Sequence, residues 1–481
     1  EEIGDLEIPV SELIDKDLAS SVEACSISEL GSLYTKPELL AAFGPQLEIS
    51  TACRKQQLLE GIESLGLTPK AHCDCISSVI DGDLLLIHGG EFVDLLQLLF
   101  FGNGHQSLTD FVLSDLGLMT YYPYVLDRSQ RLFESRPAVE EYLMCRELSN
   151  TFYELLELDR RDEIHALAEQ ILDTKTQHDS SIRRWERISL RVARELERFG
   201  SNDLALKVYT RCTNHPARER RARIYESQKD LGSAVKFCGE MLAEPLCEAE
   251  LEAALRIQTR VLRKTGGAKH SRERDTFDEA QLSIPKSDSV ERDVARYLKV
   301  EWPEVYFLEN ALMNTLFGLA FWEQIFAEVP GVFHNPYQSV PTDMFDGNFF
   351  RNRAADVGAR LDDLRGMDLR HELNRARERY EGYQCRWVDW SQVSAAIQDK
   401  AFWVIPPEHL LAIWERQLFD PKENRNGFPD LIAFGDKPGD YCLIEVKGPG
   451  DRLQDNQKRW LRYFSSHNIP AKVAWVVWSD A

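Results

Sequence analysis

The sequence predicts a mostly α-helical, multidomain chain that closes on an α/β unit. Its 481 residues are enough for roughly two to four domains with sizeable cores. Residues 136–263 repeat apolar positions at helical spacing between short breaks. Near the C-terminus two short apolar runs flank a turn rich in Gly, Pro and Asp (435–440), the pattern of a β-hairpin.

Residues 1–30 are acidic with sparse apolar positions and read as an extended lead-in or a frayed helix. The chain starts at Glu1 rather than Met, which reads as a fragment or processed chain, and it lacks the basic start and apolar core of a signal peptide. It contains no apolar run of the ~18 residues that a membrane span requires. Residues 31–120 read as short helices. Lys36-Pro-Glu-Leu-Leu-Ala-Ala-Phe, a gap, then Arg54-Lys-Gln-Gln-Leu-Leu-Glu-Gly-Ile place leucines at helical spacing after basic residues. This resembles a SAP-type DNA-binding module, and an ordinary helical subdomain fits the same pattern. Residues 92–101 are apolar nearly all round and read as a core helix, and Ser107 as the N-cap of the next one. The N-terminal region is set at 1–120.

The next region, 121–264, reads as helices at 137–157, 161–173, 182–199, 203–212, 216–228, 231–243 and 247–263. Ala205-Leu-Lys-Val-Tyr and Ala234-Val-Lys-Phe-Cys echo one another 29 residues apart, which resembles a tetratricopeptide repeat. Arg183, Arg184, Arg187, Arg191, Arg194 and Arg198 recur every three or four residues and form one basic stripe. Two readings of it stand: a groove for a nucleic-acid backbone, and a solvated face with local salt bridges to Glu186, Glu195 and Glu197. Arg218, Arg220, Arg221 and Arg223 suit a terminal phosphate. A polar linker is expected over 265–292, with a short strand at 282–285. The ten cysteines are scattered through helical segments and read as reduced core residues. His72-Cys73-Asp74-Cys75 is half of a metal site without a second cysteine pair at zinc spacing. The net charge of −22 does not exclude nucleic acid, because phosphate contacts depend on local patches. Residues 181–225 hold twelve Arg or Lys against five Asp or Glu, and residues 256–274 hold seven against one.

Residues 293–481 read as one α/β unit. Helices are expected at 292–299, at 304–328 and over about 350–380. The hairpin, a helix at 453–466 with Asp451 as N-cap, and a strand at 471–478 follow. Strand side chains alternate faces, so Glu445 and Lys447 share one face while Ile444 and Val446 share the other. Asp430 opens the partner strand just after Pro429, which brings Asp430, Glu445 and Lys447 to one edge of the sheet. Two carboxylates form an oxygen site for a hard cation such as Mg²⁺, which polarises a phosphoryl oxygen and lowers the pKa of bound water. A lysine beside them orients that water. Glu-x-Lys alone is common, but a charged pair following Leu-Ile in a buried run needs a reason.

Pro-Asp followed by Glu-x-Lys is the signature of restriction-endonuclease-like nucleases. Gly-Phe-Pro-Asp-Leu-Ile (427–432), Ile-Glu-Val-Lys-Gly-Pro-Gly-Asp-Arg-Leu (444–453) and Asn-Gln-Lys-Arg-Trp-Leu (456–461) resemble its virus-type replication-repair branch, VRR-NUC. Thr-Leu-Phe-Gly-Leu-Ala-Phe-Trp-Glu (315–323) and Asn-Pro-Tyr-Gln-Ser-Val-Pro-Thr-Asp (335–343) extend the resemblance to the Fanconi-associated nucleases, to a bacterial member of them. The resemblance implies a restriction-endonuclease-like C-terminal domain in which Asp430 and Glu445 bind Mg²⁺ or Mn²⁺. Glu309 is the further carboxylate it implies, with Glu304 and Glu323 as competitors on one helix. The Val446 carbonyl is a further ligand, Lys447 positions water, Gln457 orients Lys447 or a water, and Arg452 holds a phosphate near the cut. The activity implied is 5′-flap cleavage with 5′→3′ exonucleolysis of branched DNA in interstrand crosslink repair, in a bacterial cytoplasm or a eukaryotic nucleus. A non-catalytic helical scaffold and a junction resolvase are the rival readings. The intact Asp430, Glu445 and Lys447 argue against the first, and the long asymmetric chain against the second.

Overall fold

A computed structural model describes residues 7–47, 53, 55–80, 84–127, 129–264, 275–286, 289–345 and 347–479. Residues 1–6 of the acidic lead-in, Arg54, and residues 265–274 of the second basic segment lie outside the described residues. Packing divides the chain into two compact units, Glu1–Leu99 with Ser149–Leu167, and Phe100–Leu148 with Ala168–Ala481.

In the first unit, helices Ile27–Leu33, Lys36–Phe43, Lys55–Ser64 and Pro69–Ser77 bury Leu30, Leu39, Phe43, Leu58, Ile62 and Ile76 together. Ser26 and Thr35 begin two of them through capping boxes with Glu29 and Glu38. The expected helix–gap–helix is therefore present. His72 Nδ1 contacts the Cys25 carbonyl at 2.9 Å. The expectation of a core helix over 92–101 is corrected. In the Gly90–Phe101 helix only Leu98 and Phe101 are buried, while Phe92, Leu96 and Leu99 are exposed. An all-round apolar helix buries just the stripe that finds a partner.

In the second unit, helices Asp179–Arg198, Asn202–Thr210, Ala217–Ser227, Leu231–Ala243 and Glu248–Lys264 follow the expected ranges closely, and successive helices pack on one another. The echoing segments bury equivalent positions: Ala205, Val208 and Tyr209 in one, Ala234, Phe237 and Cys238 in the other.

The C-terminal sheet has five strands in the order Asp278–Pro285, Ala471–Ser479, Tyr441–Lys447, Leu431–Phe434, Glu304–Phe307. The first two pairings are parallel and the last two antiparallel. Two expectations are corrected here. The polar linker expected over 265–292 holds its strand at 282–285, but that strand starts at Asp278 and forms an eight-residue sheet edge. The helix expected at 304–328 begins as a strand, because Glu304–Phe307 pairs with the hairpin and buries Val305 against it. A turn at Glu309 and Asn310 then leads into helix Ala311–Ala320. Helices Ala395–Val404 and Pro407–Phe419, which were not expected, line the other face. The alternation along the central strand holds. Cys442, Ile444 and Val446 pack with Val294 and Leu298, whereas Tyr441 and Leu443 join the aromatic core of Trp322, Trp414 and Trp460.

The two upstream sequence motifs serve this core. Phe317, Phe321 and Trp322 are buried, and a Cβ on Gly318 would meet Val388 Cγ2 at 2.6 Å. Asn335 donates to the Phe101 carbonyl at 2.9 Å, Gln338 Oε1 accepts from the His334 and Asn335 amides, and Asp343 holds the fully buried Arg353 at 2.7 Å. Removing one partner of such a pair strands the other charge in a medium that cannot solvate it. Asp343→Ala is therefore expected to lower unfolding free energy by about 3–5 kcal/mol in urea titrations. A loss below about 1 kcal/mol would mean the pair does not hold this segment.

Candidate active site

The site forms where the hairpin meets the turn after strand Glu304–Phe307. Gly427 adopts φ +88°, and a Cβ there would lie 2.8 Å from Asn456 Nδ2, so only glycine suits the approach to the strand. The Asp430 carbonyl accepts from the Leu308 and Glu309 amides at 3.2 and 3.0 Å. Its carboxylate accepts from the Val446 amide at 2.8 Å. One residue thus ties the turn, the hairpin strand and the central strand together. The structure links Asp430 to the amide of Val446, the residue whose carbonyl was expected to serve as a ligand.

Glu445 is buried in the central strand, 1% exposed. Lys447 Nζ lies 2.7 Å from its Oε1, and Gln457 Nε2 donates to the same oxygen at 2.5 Å. Gln457 was expected to orient Lys447 or a water; it bonds Glu445 instead. It sits there because helix Asp455–Ser466 starts with a capping box between Gln454 and Gln457. The expected cap, Asp451, instead accepts from the Gly448 amide inside the loop at 2.9 Å.

Of the three candidate glutamates upstream, the structure brings Glu309 to the site. It is exposed, lies in the turn rather than on a helix, and takes φ +35°, a conformation uncommon for a residue with a side chain. Asn310 Nδ2 donates to its carboxylate at 2.8 Å. Glu304 sits opposite Phe434 at the far end of the strand pairing, bound by Lys400 and Tyr306. Glu323 is taken by Arg379 and the Tyr380 hydroxyl.

The carboxylates oppose one another. Burial, then the facing Asp430, pushes Glu445 up to about 7 against the pull of Lys447. Burial also raises Asp430 to about 6; Glu309 and Glu291 add to this, while the Val446 amide and Lys447 oppose it. Glu291 escaped the sequence reading because it opens helix Val290–Leu298, far along the chain and with no motif around it. Among the described residues no three His, Cys, Asp or Glu side chains close around a single point as a metal cluster. The available donors are nevertheless all oxygens and short of positive charge, which fits a hard divalent cation.

Away from this centre, helix Asp179–Arg198 buries Trp185, Ile188, Val192 and Leu196 and exposes Arg183, Arg187, Arg191 and Arg198. Arg184 stacks on Tyr142, Arg194 pairs with Glu197 and Arg198 with Glu195. Glu186, expected beside the stripe, is buried and accepts from the Thr213 and Asn214 amides. The Arg218 to Arg223 group is committed elsewhere. Arg218 bonds the buried Glu250, Arg220 bonds Glu197, Arg223 bonds Glu219 and Arg221 lies over Phe237. A phosphate site built from these four would have to displace carboxylates. Arg452 is exposed in the loop after the Gly-Pro-Gly turn.

The VRR-NUC domain family matches residues 367–478, and the Fanconi anemia-associated nuclease SAP domain matches residues 26–71. The chain is 30% identical to a Fanconi-associated nuclease 1 homolog of Pseudomonas aeruginosa, over 99% of this chain and 85% of that one. It is 34% identical to Fanconi-associated nuclease 1 of Danio rerio over a shorter stretch, 32% of this chain and 16% of that protein. The crystal structure of paFAN1 bound to 2-nucleotide 5′-flap DNA with a gap superposes with a TM-score of 0.79 at 30% identity, covering 100% of this chain and 87% of that one.

The raised carboxylates make a stability test in metal-free protein. An unfolded Asp titrates near 3.9, whereas folded Asp430 titrates at about 6. Folding therefore binds a proton between those values, and stability falls as pH rises through them. Asp430→Asn removes that loss, so in EDTA its Tm is expected to exceed the wild type by a few degrees near pH ~8 and by little near pH ~4. Calorimetry showing the same offset at both pH values would contradict the opposed-carboxylate description.

Proposed function

The chain belongs to the Fanconi-associated nuclease family, and on that premise we propose how its residues act as a structure-specific DNA nuclease. The observation that carries the proposal is the pairing of Asp430 with Glu445 and Lys447 on one strand edge, tied through the Val446 amide. Asp430, Glu445 and Glu309, with the Val446 carbonyl, would hold Mg²⁺ or Mn²⁺, which supplies polarisation of the phosphoryl oxygen and a lowered pKa of water. Lys447 orients the attacking water and balances the negative charge that builds on the phosphoryl oxygens. Gln457 fixes the Glu445 carboxylate, leaving its second oxygen available. The product carries a 5′-phosphate.

The substrate proposed is branched double-stranded DNA with a 5′ flap, cut endonucleolytically and trimmed 5′→3′ during interstrand crosslink repair in the bacterial cytoplasm. The relative crystallised on 5′-flap DNA supports that reading. Exposed Arg183, Arg187, Arg191 and Arg198 serve as a backbone track, Arg452 holds a phosphate beside the cut, and the SAP domain adds a DNA contact of its own. Backbone contacts position the protein without reading bases, so little sequence preference follows.

A labelled 5′-flap duplex with Mg²⁺ or Mn²⁺ tests the chemistry. Wild type is expected to cut it, EDTA to stop the reaction, and Asp430→Ala or Lys447→Ala to abolish it; cutting that survives both substitutions would place the site elsewhere. The track is tested separately. Arg187→Ala with Arg191→Ala is expected to weaken DNA binding and to make log Kd against log salt shallower by about 2. Unchanged affinity would return the stripe to a solvated face.

A further inference from the structure

The last helix of the repeat region, Glu248–Lys264, runs antiparallel to the helix that carries Gln457, and charged side chains join them along one line. Arg256 Nη1 lies 2.7 Å from Asp455 Oδ2 at the start of the Gln457 helix. One turn along, Glu252 accepts from the buried Arg459 at 3.4 Å and from Arg462. At the far end Glu248 pairs at 2.7 Å with Arg416, whose guanidinium lies over the Trp460 and Tyr463 rings. Positions 248, 252 and 256 occupy one face of their helix, and 455, 459 and 462 one face of the other. No sequence motif marks this zipper, because its halves lie some two hundred residues apart in the chain.

Resting on the reading of Glu445 as a catalytic carboxylate, we infer that Glu252 is a positioning residue of the nuclease. It acts through the Gln457 helix. Glu252 binds two successive turns of that helix, Arg459 sits two residues beyond Gln457, and Gln457 Nε2 bonds Glu445 at 2.5 Å. The repeat region is in this respect part of the catalytic apparatus. With Glu252 removed, Arg459 keeps a 3.9 Å contact to Glu423 and Arg462 keeps Asp275, so the hold on the turn that follows Gln457 is weakened.

A double-mutant cycle tests this on the whole protein. Gln457→Ala is expected to lower kcat on flap DNA by about 10–100-fold, as loss of a partner that orients a ligand does. Glu252→Gln should lower kcat in the same direction with KM little changed, and should add nothing when combined with Gln457→Ala. Glu226→Ala, which removes an ion pair to Arg260 on the same helix, should leave kcat unchanged. Additive losses in the double variant, or a Glu252→Gln kcat equal to wild type, would overturn the proposal. Hydrogen exchange supplies a readout free of activity: amides of 455–459 should exchange faster in Glu252→Gln than in wild type, and equal rates would also overturn it. A wild type that cuts no DNA, with exchange responding as expected, would refute the nuclease reading while leaving the zipper's hold on the helix intact.

Discussion

The nuclease unit depends on keeping an ionisable carboxylate on the central strand of a five-stranded β-sheet. Glu445 is flanked by fully buried residues on the central strand, with cores against both faces. An isolated charge there would cost several kcal/mol. The surroundings offset this with directed contacts. Lys447 on the same strand face and Gln457 on the next helix share one Glu445 oxygen, while the Val446 amide is turned to Asp430. The compensation is incomplete, as the upward shift of both acids shows. Incomplete compensation within a cluster of oxygens is the condition under which a divalent cation binds and proton affinity falls.

The same economy of charge explains an acidic protein in a DNA-binding family. Some of its carboxylates face inward or are spent on local ion pairs. Glu250 and Glu186 are buried and organise helix ends, and Glu197 and Glu226 each hold two basic side chains. A net charge of −22 therefore says little about the field over any one helix.

Local signals were legible and long-range pairing was not. The repeat helices announced themselves because an amphipathic stripe is written at intervals of three and four residues, and the hairpin because its turn chemistry and alternation are contiguous. Strand Glu304–Phe307 was misread as helix and strand Asp278–Pro285 was expected only over 282–285, because each takes its conformation from a neighbour more than a hundred residues away. Glu309 was expected on a helix but lies in a turn; its φ of +35° has no sequence signature in a non-glycine residue. Gln457 was recognised by its motif, while its partner could not be, since the bond to Glu445 depends on where the helix docks. The ion pairs of Arg218 and Arg220 were not legible either, because a cluster of like charges in sequence does not reveal the carboxylates that other helices bring to it.

The sequence motifs thus carry unequal functional weight. Residues 315–323 supply the aromatic core and the close helix approach at Gly318, and residues 335–343 stitch a loop and neutralise Arg353. Either could persist in a protein that had lost its chemistry, because each is required for packing. Asp430, Glu445 and Lys447 are different. The two carboxylates raise one another's cost and Lys447 offsets only part of it, so an apolar strand of the same shape would satisfy the sheet better. Ionisable groups on a buried strand, where packing alone favours apolar side chains, mark this part of the fold as its candidate functional site.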